Sequence, residues 1–298
     1  MNIFPPSTCK WSEPFAGSKI RRALRALRSA LHALLFFVVV AVSSTPAQIP
    51  KPLYPRGGLP PFLEEFKVKE APTLTQEIKL QSAVGRVSGY LARPDTQEKL
   101  PAVLLIHDVT GLTPWMKQNA REISTIGYVV LALDLGHRTG VKPSIQGEEA
   151  ILAELSAAVR WLRRRPDVFP ERIGALGWSW GGSLAVALAA ATPLQACITC
   201  DGPIAVDPAL TAGLRGTAIL GIFSANDEKR TRRLPDFRNA LKEARLAHKI
   251  CVYEGARPGF MGPPATKAYV EKAAEEAWFE IYEFLGKHVE DACHKQHR

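Results

Sequence analysis

A serine between two glycines carries the clearest chemical signal in the sequence. Residues 177–181 read Gly-Trp-Ser-Trp-Gly, after an apolar run at residues 173–176 and before the helix-forming residues 183–191. This pattern predicts a strand, a sharp turn and a helix, the local structure called a nucleophile elbow. The turn would present the Ser179 hydroxyl at a helix N-terminus, where the Trp180 amide can bind an oxyanion. The alternative is a serine that only caps a helix.

The two glycines have a physical role in this prediction. Side chains at Gly177 and Gly181 would block the close approach of the strand and the helix on either side of Ser179. The Gly-x-Ser-x-Gly pattern alone occurs often by chance, so the flanking strand and helix patterns make the prediction specific. We therefore expect Ser179 to act as a nucleophile.

Further candidates follow another apolar run. Residues 103–106 are Val-Leu-Leu-Ile, which is typical of a strand buried on both faces of a sheet. The next residues, His107, Asp108 and Val109, open a loop at the carboxyl end of this strand. Open α/β sheets place their ligand sites at this edge. The loop is therefore expected to lie on the same side of the sheet as Ser179.

Apolar runs alternate with helical patterns along most of the chain. Such alternation predicts an α/β fold, with a mostly parallel, doubly wound sheet and helices on both faces. Alternating apolar positions at residues 76–91 indicate an antiparallel edge hairpin. We predict strands at residues 101–107, 128–133, 173–176, 196–199, 217–223 and 249–253, and helices at residues 115–126, 148–163, 183–191 and 266–287. The sequence shows no internal repeat and no second domain.

The first 47 residues are typical of a targeting segment. They hold six basic residues and one acidic residue. The resulting net charge of this segment, 6 − 1 = +5, is more than half of the chain's formal net charge of +9. Basic residues at 19–28 precede an apolar stretch at 33–42, and Thr45-Pro46-Ala47 offers small residues for cleavage. The apolar stretch is about ten residues long, short for a membrane span of roughly twenty. The sequence predicts a periplasmic or secreted protein cleaved near Ala47, with an uncleaved membrane anchor as the alternative.

The remaining segments have different compositions. Residues 48–72 are expected to form a linker or peripheral segment, residues 73–288 the α/β body, and residues 289–298 a tail. Basic side chains beyond residue 47 are scattered among acidic ones, as on a solvated surface, so no nucleic acid is expected as a partner. No phosphate loop, dinucleotide or flavin motif is present, and the short tail cluster of histidine and cysteine does not indicate a metal site. We therefore expect no cofactor and no metal, and the oligomeric state stays open.

Cysteine spacing gives a further expectation. Cys197 and Cys200 have the spacing of a redox motif, but they lie in a predicted strand, where residues three apart point to opposite faces. A local disulfide is therefore not expected. Buried free thiols are the main prediction for the cysteines beyond residue 47, and a longer-range disulfide is the alternative in an exported protein.

Three motifs carry a resemblance to a known family. They are Arg-Ile-Gly-x-x-Gly-Trp-x-x-Gly-Gly at residues 172–182, Gly-Tyr-Val-Val-Leu-Ala-x-Asp-Leu at 127–135 and Tyr-x-Gly-Ala at 253–256. With these motifs, the chain resembles the dienelactone hydrolase family of α/β-hydrolases over residues 76–285. The resemblance implies the α/β-hydrolase fold and a small carboxylic ester or lactone as substrate. The family usually has a cysteine as nucleophile, where this chain has Ser179.

The resemblance also implies roles for other residues. Asp227 stands where the family has its catalytic acid, which would orient a histidine. The Val109 amide would be the second oxyanion donor, and Asp108 stands where the family has an acidic residue near its nucleophile. Arg138 occupies a position where dienelactone enzymes hold a substrate carboxylate, although it could equally be a surface residue.

One departure concerns the catalytic base. The family's last motif has a histidine where this chain has Pro258, and the arginine expected just beyond is replaced by Gly262. Proline cannot accept a proton, and loss of one member of a catalytic triad typically lowers the rate on the order of 10⁴ to 10⁶-fold. His107 and His137, which lies beside Arg138, are the candidate substitutes. Either could act as the base or could instead stabilise the oxyanion loop.

Two functions follow from these observations. The first is an exported serine hydrolase with an atypical or impaired triad. The second is a catalytically silent protein that keeps the α/β-hydrolase fold to bind a ligand or partner. The intact elbow favours the hydrolase, and Pro258 favours the silent protein.

Overall fold

The structure is a computed structural model that describes residues 8–12, 72–136, 145–204 and 207–290, with only the backbone described at 8–12 and 145–147. The described strands are β1 (Thr8–Ser12), β2 (Thr73–Ser82), β3 (Gly85–Pro94), β4 (Leu100–Ile106), β5 (Val129–Asp134), β6 (Val168–Trp178), β7 (Ala196–Cys200), β8 (Ala218–Ser224) and β9 (His248–Tyr253). The described helices are α1 (Pro114–Thr125), α2 (Ile145–Arg163), α3 (Trp180–Ala191), α4 (Pro208–Gly213), α5 (Glu228–Thr231), α6 (Leu234–Glu243), α7 (Glu271–Leu285) and a π-helix (Gly286–Glu290).

All described strands join one sheet in the order β1-β9-β8-β7-β6-β4-β5-β3-β2. The central strands β5, β4, β6, β7, β8 and β9 are parallel, and the edge strands β1, β2 and β3 are antiparallel to their neighbours. Every residue of β4, β7 and β8 is buried, as expected for apolar runs covered on both faces. The predicted α/β fold, with a mostly parallel sheet and an edge hairpin, is confirmed.

The sheet has a hydrophobic core on each face. Alternate residues of β4 enter different cores, with Leu104 in one and Leu105 in the other. The first core is closed by residues of α2, α3 and α6, and the second by residues of α1 and α7. Helices therefore cover both faces, and the chain segments that carry the site lie at the carboxyl edge between the two layers.

The last helix is shorter at its start than its pattern predicts. The turns over residues 263–269 are closed by hydrogen bonds from Thr266 N–H to Pro263 O and from Tyr269 N–H to Thr266 O, and α7 begins only at Glu271. The π-helix continues the chain, and its Val289 is fully buried in the second core. The packed body therefore reaches the end of the π-helix.

The cysteines follow the predicted pattern in part. Cys197 and Cys200 are free and buried, and they lie in opposite cores. Burial raises the pKa of the Cys197 thiol to about 12, and it also raises the pKa of the Cys200 thiol well above its usual range. Cys251 on β9 is disulfide-bonded, so the prediction of a free thiol is wrong at this position. Strand β1 pairs with β9 and places the Cys9 backbone opposite Cys251.

Within the described ranges, no helix has both the length and the apolar character to cross a bilayer. The same ranges contain no group of three or more His, Cys, Asp or Glu side chains arranged to hold a metal ion. Apart from β1, the predicted targeting segment and linker lie outside the described residues.

Candidate active site

Ser179 occupies a strained turn between β6 and α3. Its backbone has φ 50° and ψ −115°, in a region that favours glycine, and its N–H donates to Cys200 O at 2.7 Å. The serine precedes the first residue of α3 and makes no side-chain capping bond to the helix. The hydroxyl is therefore available at the carboxyl edge of the sheet, which agrees with the predicted elbow rather than with a simple helix cap.

Close backbone contacts explain both glycines of the elbow. A Cβ on Gly177 would lie 2.8 Å from Gly182 N, and a Cβ on Gly181 would lie 2.8 Å from Ile106 C. Real Cβ atoms essentially never approach backbone atoms so closely. The second contact also presses the start of α3 against the end of β4.

The two predicted oxyanion donors lie on the two chain segments that this contact joins. Trp180 is the first residue of α3, so its N–H has no partner within the helix. Val109 lies three residues beyond β4, and its N–H makes no hydrogen bond within the described part of the chain. Asp108 shapes the loop, because its carboxylate accepts hydrogen bonds from Thr110 N–H at 2.8 Å and from the Thr110 hydroxyl. The loop leaves Val109 exposed, with 61% of the residue's surface accessible.

His107 has both ring nitrogens bound to the backbone. Leu135 N–H donates to Nε2 at 2.8 Å, so Nε2 carries no proton. The proton must then be on Nδ1, which donates to Asp108 O at 2.5 Å. The ring is fully buried. Neither nitrogen is free to accept the Ser179 proton or to bind a substrate, and the ring instead ties the oxyanion loop to the end of β5.

Asp227 is bound to a nearby arginine. Its carboxylate caps the short helix α5 by accepting from Arg230 N–H at 3.1 Å, and it forms an ion pair with the Arg230 guanidinium. The side chain expected to orient a histidine thus has a positively charged partner from its own helix.

Pro258 lies in a β-turn formed by residues 257–260. Phe260 N–H donates to Arg257 O at 3.0 Å, and Gly259 has φ 87°. Proline at the second position and glycine with positive φ at the third are the signature of a type II turn. Pro258 is exposed. The turn accounts for the proline without any chemical role.

Arg138, the predicted binding residue for a substrate carboxylate, lies outside the described residues, as does His137.

Residues 87–289 match the sequence profile of the dienelactone hydrolase family. The chain belongs to that family. The match covers more than half of the 298 residues and includes the elbow, the oxyanion loop and the turn at residues 257–260. Family and fold together make the protein a hydrolase of the dienelactone hydrolase type.

Similarity to individual proteins agrees with this assignment. A Bradyrhizobium protein named as a probable 2-oxo-3-(5-oxofuran-2-ylidene)propanoate lactonase is 28% identical over 225 residues, which cover 67% of this chain and 89% of the relative. The structure of a dienelactone hydrolase from Anabaena variabilis has a TM-score of 0.58 at 18% identity, covering 73% of this chain and 99% of that one. A dienelactone hydrolase-like promiscuous phosphotriesterase from metagenomic libraries has a TM-score of 0.63 at 17% identity, covering 72% and 98%.

Asp201 is an acidic residue at the same edge of the sheet as Ser179, and the sequence analysis did not single it out. It directly follows β7, has φ 49° and is 7% exposed. The available signal was an acidic residue just beyond a buried strand, at the edge of the sheet that carries Ser179. Its burial raises the pKa of the carboxyl above the usual range of aspartate, although its hydrogen bonds act in the opposite direction.

Proposed function

We propose that this protein is an exported serine hydrolase that cleaves small carboxylic esters or lactones. The observation that carries the proposal is the strained turn at Ser179, just before α3 and next to the Trp180 amide, with a side chain that makes no capping bond to the helix. A non-glycine residue in such a conformation costs about 1–3 kcal/mol, and such residues are concentrated at functional sites. The lactonase name of the Bradyrhizobium relative supports a lactone as one class of substrate.

The geometry supports acyl transfer in two steps. Ser179 Oγ would attack the carbonyl carbon, and the two amides would bind the oxygen as it gains negative charge. Collapse of the intermediate breaks the bond to the alcohol oxygen and leaves an acyl-serine, which water then hydrolyses. In a lactone the released alcohol stays attached to the acyl group.

The proton on Ser179 needs an acceptor, and the described histidines do not offer one. His107 is bound at both nitrogens, His248 lies at the amino end of β9 with Nδ1 close to Leu246 O, and His288 lies in the π-helix after α7. We therefore propose an impaired triad and slow turnover. A ligand-binding protein without catalysis is the alternative outcome of the test below.

Reaction with a fluorophosphonate probe tests this function. We expect the wild-type chain to gain the mass of one probe adduct, and we expect Ser179→Ala to gain none, because the probe reacts with a serine whose charge is held by an oxyanion site. Ser156→Ala is the matched control and should label like wild type, since Ser156 lies within α2 and contacts Thr192 at the end of α3 opposite Ser179. Intact mass spectrometry gives the result. No adduct on the wild-type chain over several hours would contradict the hydrolase.

Export is tested by the mass of the protein recovered from cells. We expect expression of the full chain in a Gram-negative host to yield a periplasmic or secreted species that begins at Gln48, because the small residues before it fit a signal peptidase. Strand β1 lies before this cut, so the mature protein would lack it. A full-length species in the membrane fraction would instead support an uncleaved anchor, and a full-length soluble species would contradict export.

A further inference from the structure

Three side chains at the second core carry buried polar atoms that have no hydrogen-bond partner in the described part of the chain. These atoms are the indole nitrogens of Trp115 and Trp178 and both polar atoms of the Asn119 amide. Trp178 is 7% exposed and Asn119 is fully buried. Burial of a polar group is costly unless a new partner replaces the water that it loses. Such a group of atoms is therefore a candidate for binding a polar ligand.

The two tryptophans lie at the edge of the sheet that carries Ser179. Trp178 is the last residue of β6 and directly precedes the nucleophile. Trp115 is the second residue of α1, the helix that follows the oxyanion loop. Their rings meet edge to face, with centroids 5.4 Å apart and planes at 71°. This contact joins the segment that carries the Val109 amide to the segment that carries the Trp180 amide.

Asn119 extends this group into the second core. It lies four residues after Trp115 on α1, so the two side chains are neighbours on one face of the helix. The ring of Trp278, on α7, lies 5.9 Å from that of Trp178. Further apolar neighbours come from α1 itself, namely Met116, Ala120 and Ile123. A few polar atoms among apolar and aromatic side chains are the typical lining of a small-molecule site.

The chemistry of these groups limits what they can bind. An indole N–H only donates a hydrogen bond, whereas a carbonyl oxygen has two lone pairs and can accept from two donors. The basic residues of α1 are bound elsewhere. Lys117 is paired with Glu77, and Arg121 donates to the Tyr90 hydroxyl. A buried carboxylate without a cation is costly, so the two indoles fit a neutral carbonyl group rather than an acid.

We propose that Trp115, Trp178 and Asn119 form the acyl-binding subsite of this active site, and that the subsite takes a neutral acyl chain with a second carbonyl group. The ester carbonyl would lie at Ser179, and the oxygen of the second carbonyl would accept the indole N–H bonds. The inference rests on the proposed function and deepens it, because it names the class of acyl group that Ser179 would carry.

Ligand binding to the Ser179→Ala chain tests the subsite without turnover. Methyl levulinate carries a ketone in its acyl chain, and methyl pentanoate has the same chain length without it. Isotope-labelled tryptophan gives one NMR signal for each of the six indole N–H groups. We expect methyl levulinate to shift the signals of Trp115 and Trp178. It should bind at least about fivefold more tightly than methyl pentanoate, the range expected for one or two hydrogen bonds.

Variants that remove the donors separate recognition from packing. Trp115→Phe and Trp178→Phe keep an aromatic ring but lose the N–H, so each should lower the preference for methyl levulinate at least about twofold, and the double variant should abolish it. Asn119→Leu should weaken methyl levulinate binding without loss of folded protein. Trp161→Phe is the matched control and should keep the preference, because Trp161 packs against the first core and lies under Arg165.

Three results would overturn the inference. The first is equal binding of the two esters, or no saturable shift of the Trp115 and Trp178 signals at about 10 mM methyl levulinate. The second is a preference that survives in the double variant. The third is tighter binding of monomethyl glutarate, which carries a carboxylate in place of the ketone. Fluorophosphonate labelling of the wild-type chain reports on Ser179 alone, so a missing adduct rejects the proposed function, whereas a failed subsite leaves the adduct unchanged.

Discussion

Replacing Pro258 with histidine is expected to raise the turnover of p-nitrophenyl acetate at least about tenfold, because a positioned general base contributes about 10²–10⁴-fold in rate. The backbone should accept the change. Pro258 is the second residue of a type II turn, where proline is common and the backbone φ is negative, and the positive φ that needs glycine is at Gly259. Loss of the proline lowers stability by about 0.4–1 kcal/mol through the unfolded chain.

Two control variants isolate the effect of the imidazole. Pro258→Ala changes the turn without adding a base and should show the turnover of the wild type. The double variant Pro258→His/Ser179→Ala should show no gain, because the nucleophile is absent. Equal turnover in Pro258→His and Pro258→Ala would mean that the side chain at position 258 points away from Ser179.

Replacing Gly181 with alanine is expected to destabilise the fold by more than about 4 kcal/mol or to prevent folding, the range of the most damaging single substitutions. The new Cβ would lie 2.8 Å from Ile106 C and closer still to the carbonyl oxygens of Ile106 and His107. These are backbone atoms of β4 and of the oxyanion loop, so they cannot rotate away as a flexible side chain could. Relief of the clash would require β4 and α3 to separate.

Urea unfolding followed by circular dichroism measures this effect. Gly286→Ala is the matched control, because Gly286 has φ −55° and an added Cβ would meet nothing within 4 Å. That variant should be as stable as the wild type or gain up to about 1 kcal/mol. A Gly181→Ala protein with the unfolding midpoint of the wild type would show that the elbow is looser than described.

The fold was predictable because its signals are local. Continuous apolar runs marked the fully buried strands β4, β7 and β8, and the helical patterns between them required parallel neighbours. The turn at Ser179 was predictable for the same reason, since glycines on both sides of a serine between a strand and a helix have few other uses.

The chemistry of the site was less predictable because it depends on partners that the sequence does not pair. The sequence places His107 at the edge of the sheet. It does not show that Leu135 N–H, 28 residues away in the chain, donates a hydrogen bond to His107 Nε2. The sequence also does not show that Asp227 forms an ion pair with Arg230. Nor does it show that the Asp201 carboxylate, just after β7, accepts a hydrogen bond from Ser224 N–H at the end of the neighbouring strand β8. The Pro258-Gly259 pair, however, is a turn signal that the sequence does carry.

The strained backbone at Ser179 has a consequence for the history of the chain. A single Ser179→Gly change would relieve a conformational penalty of about 1–3 kcal/mol without disturbing the packing of β6 against α3. In a lineage that no longer used the hydroxyl, this substitution would stabilise the fold at no cost to function. The serine still at this position is thus the residue that drift alone would be expected to remove first.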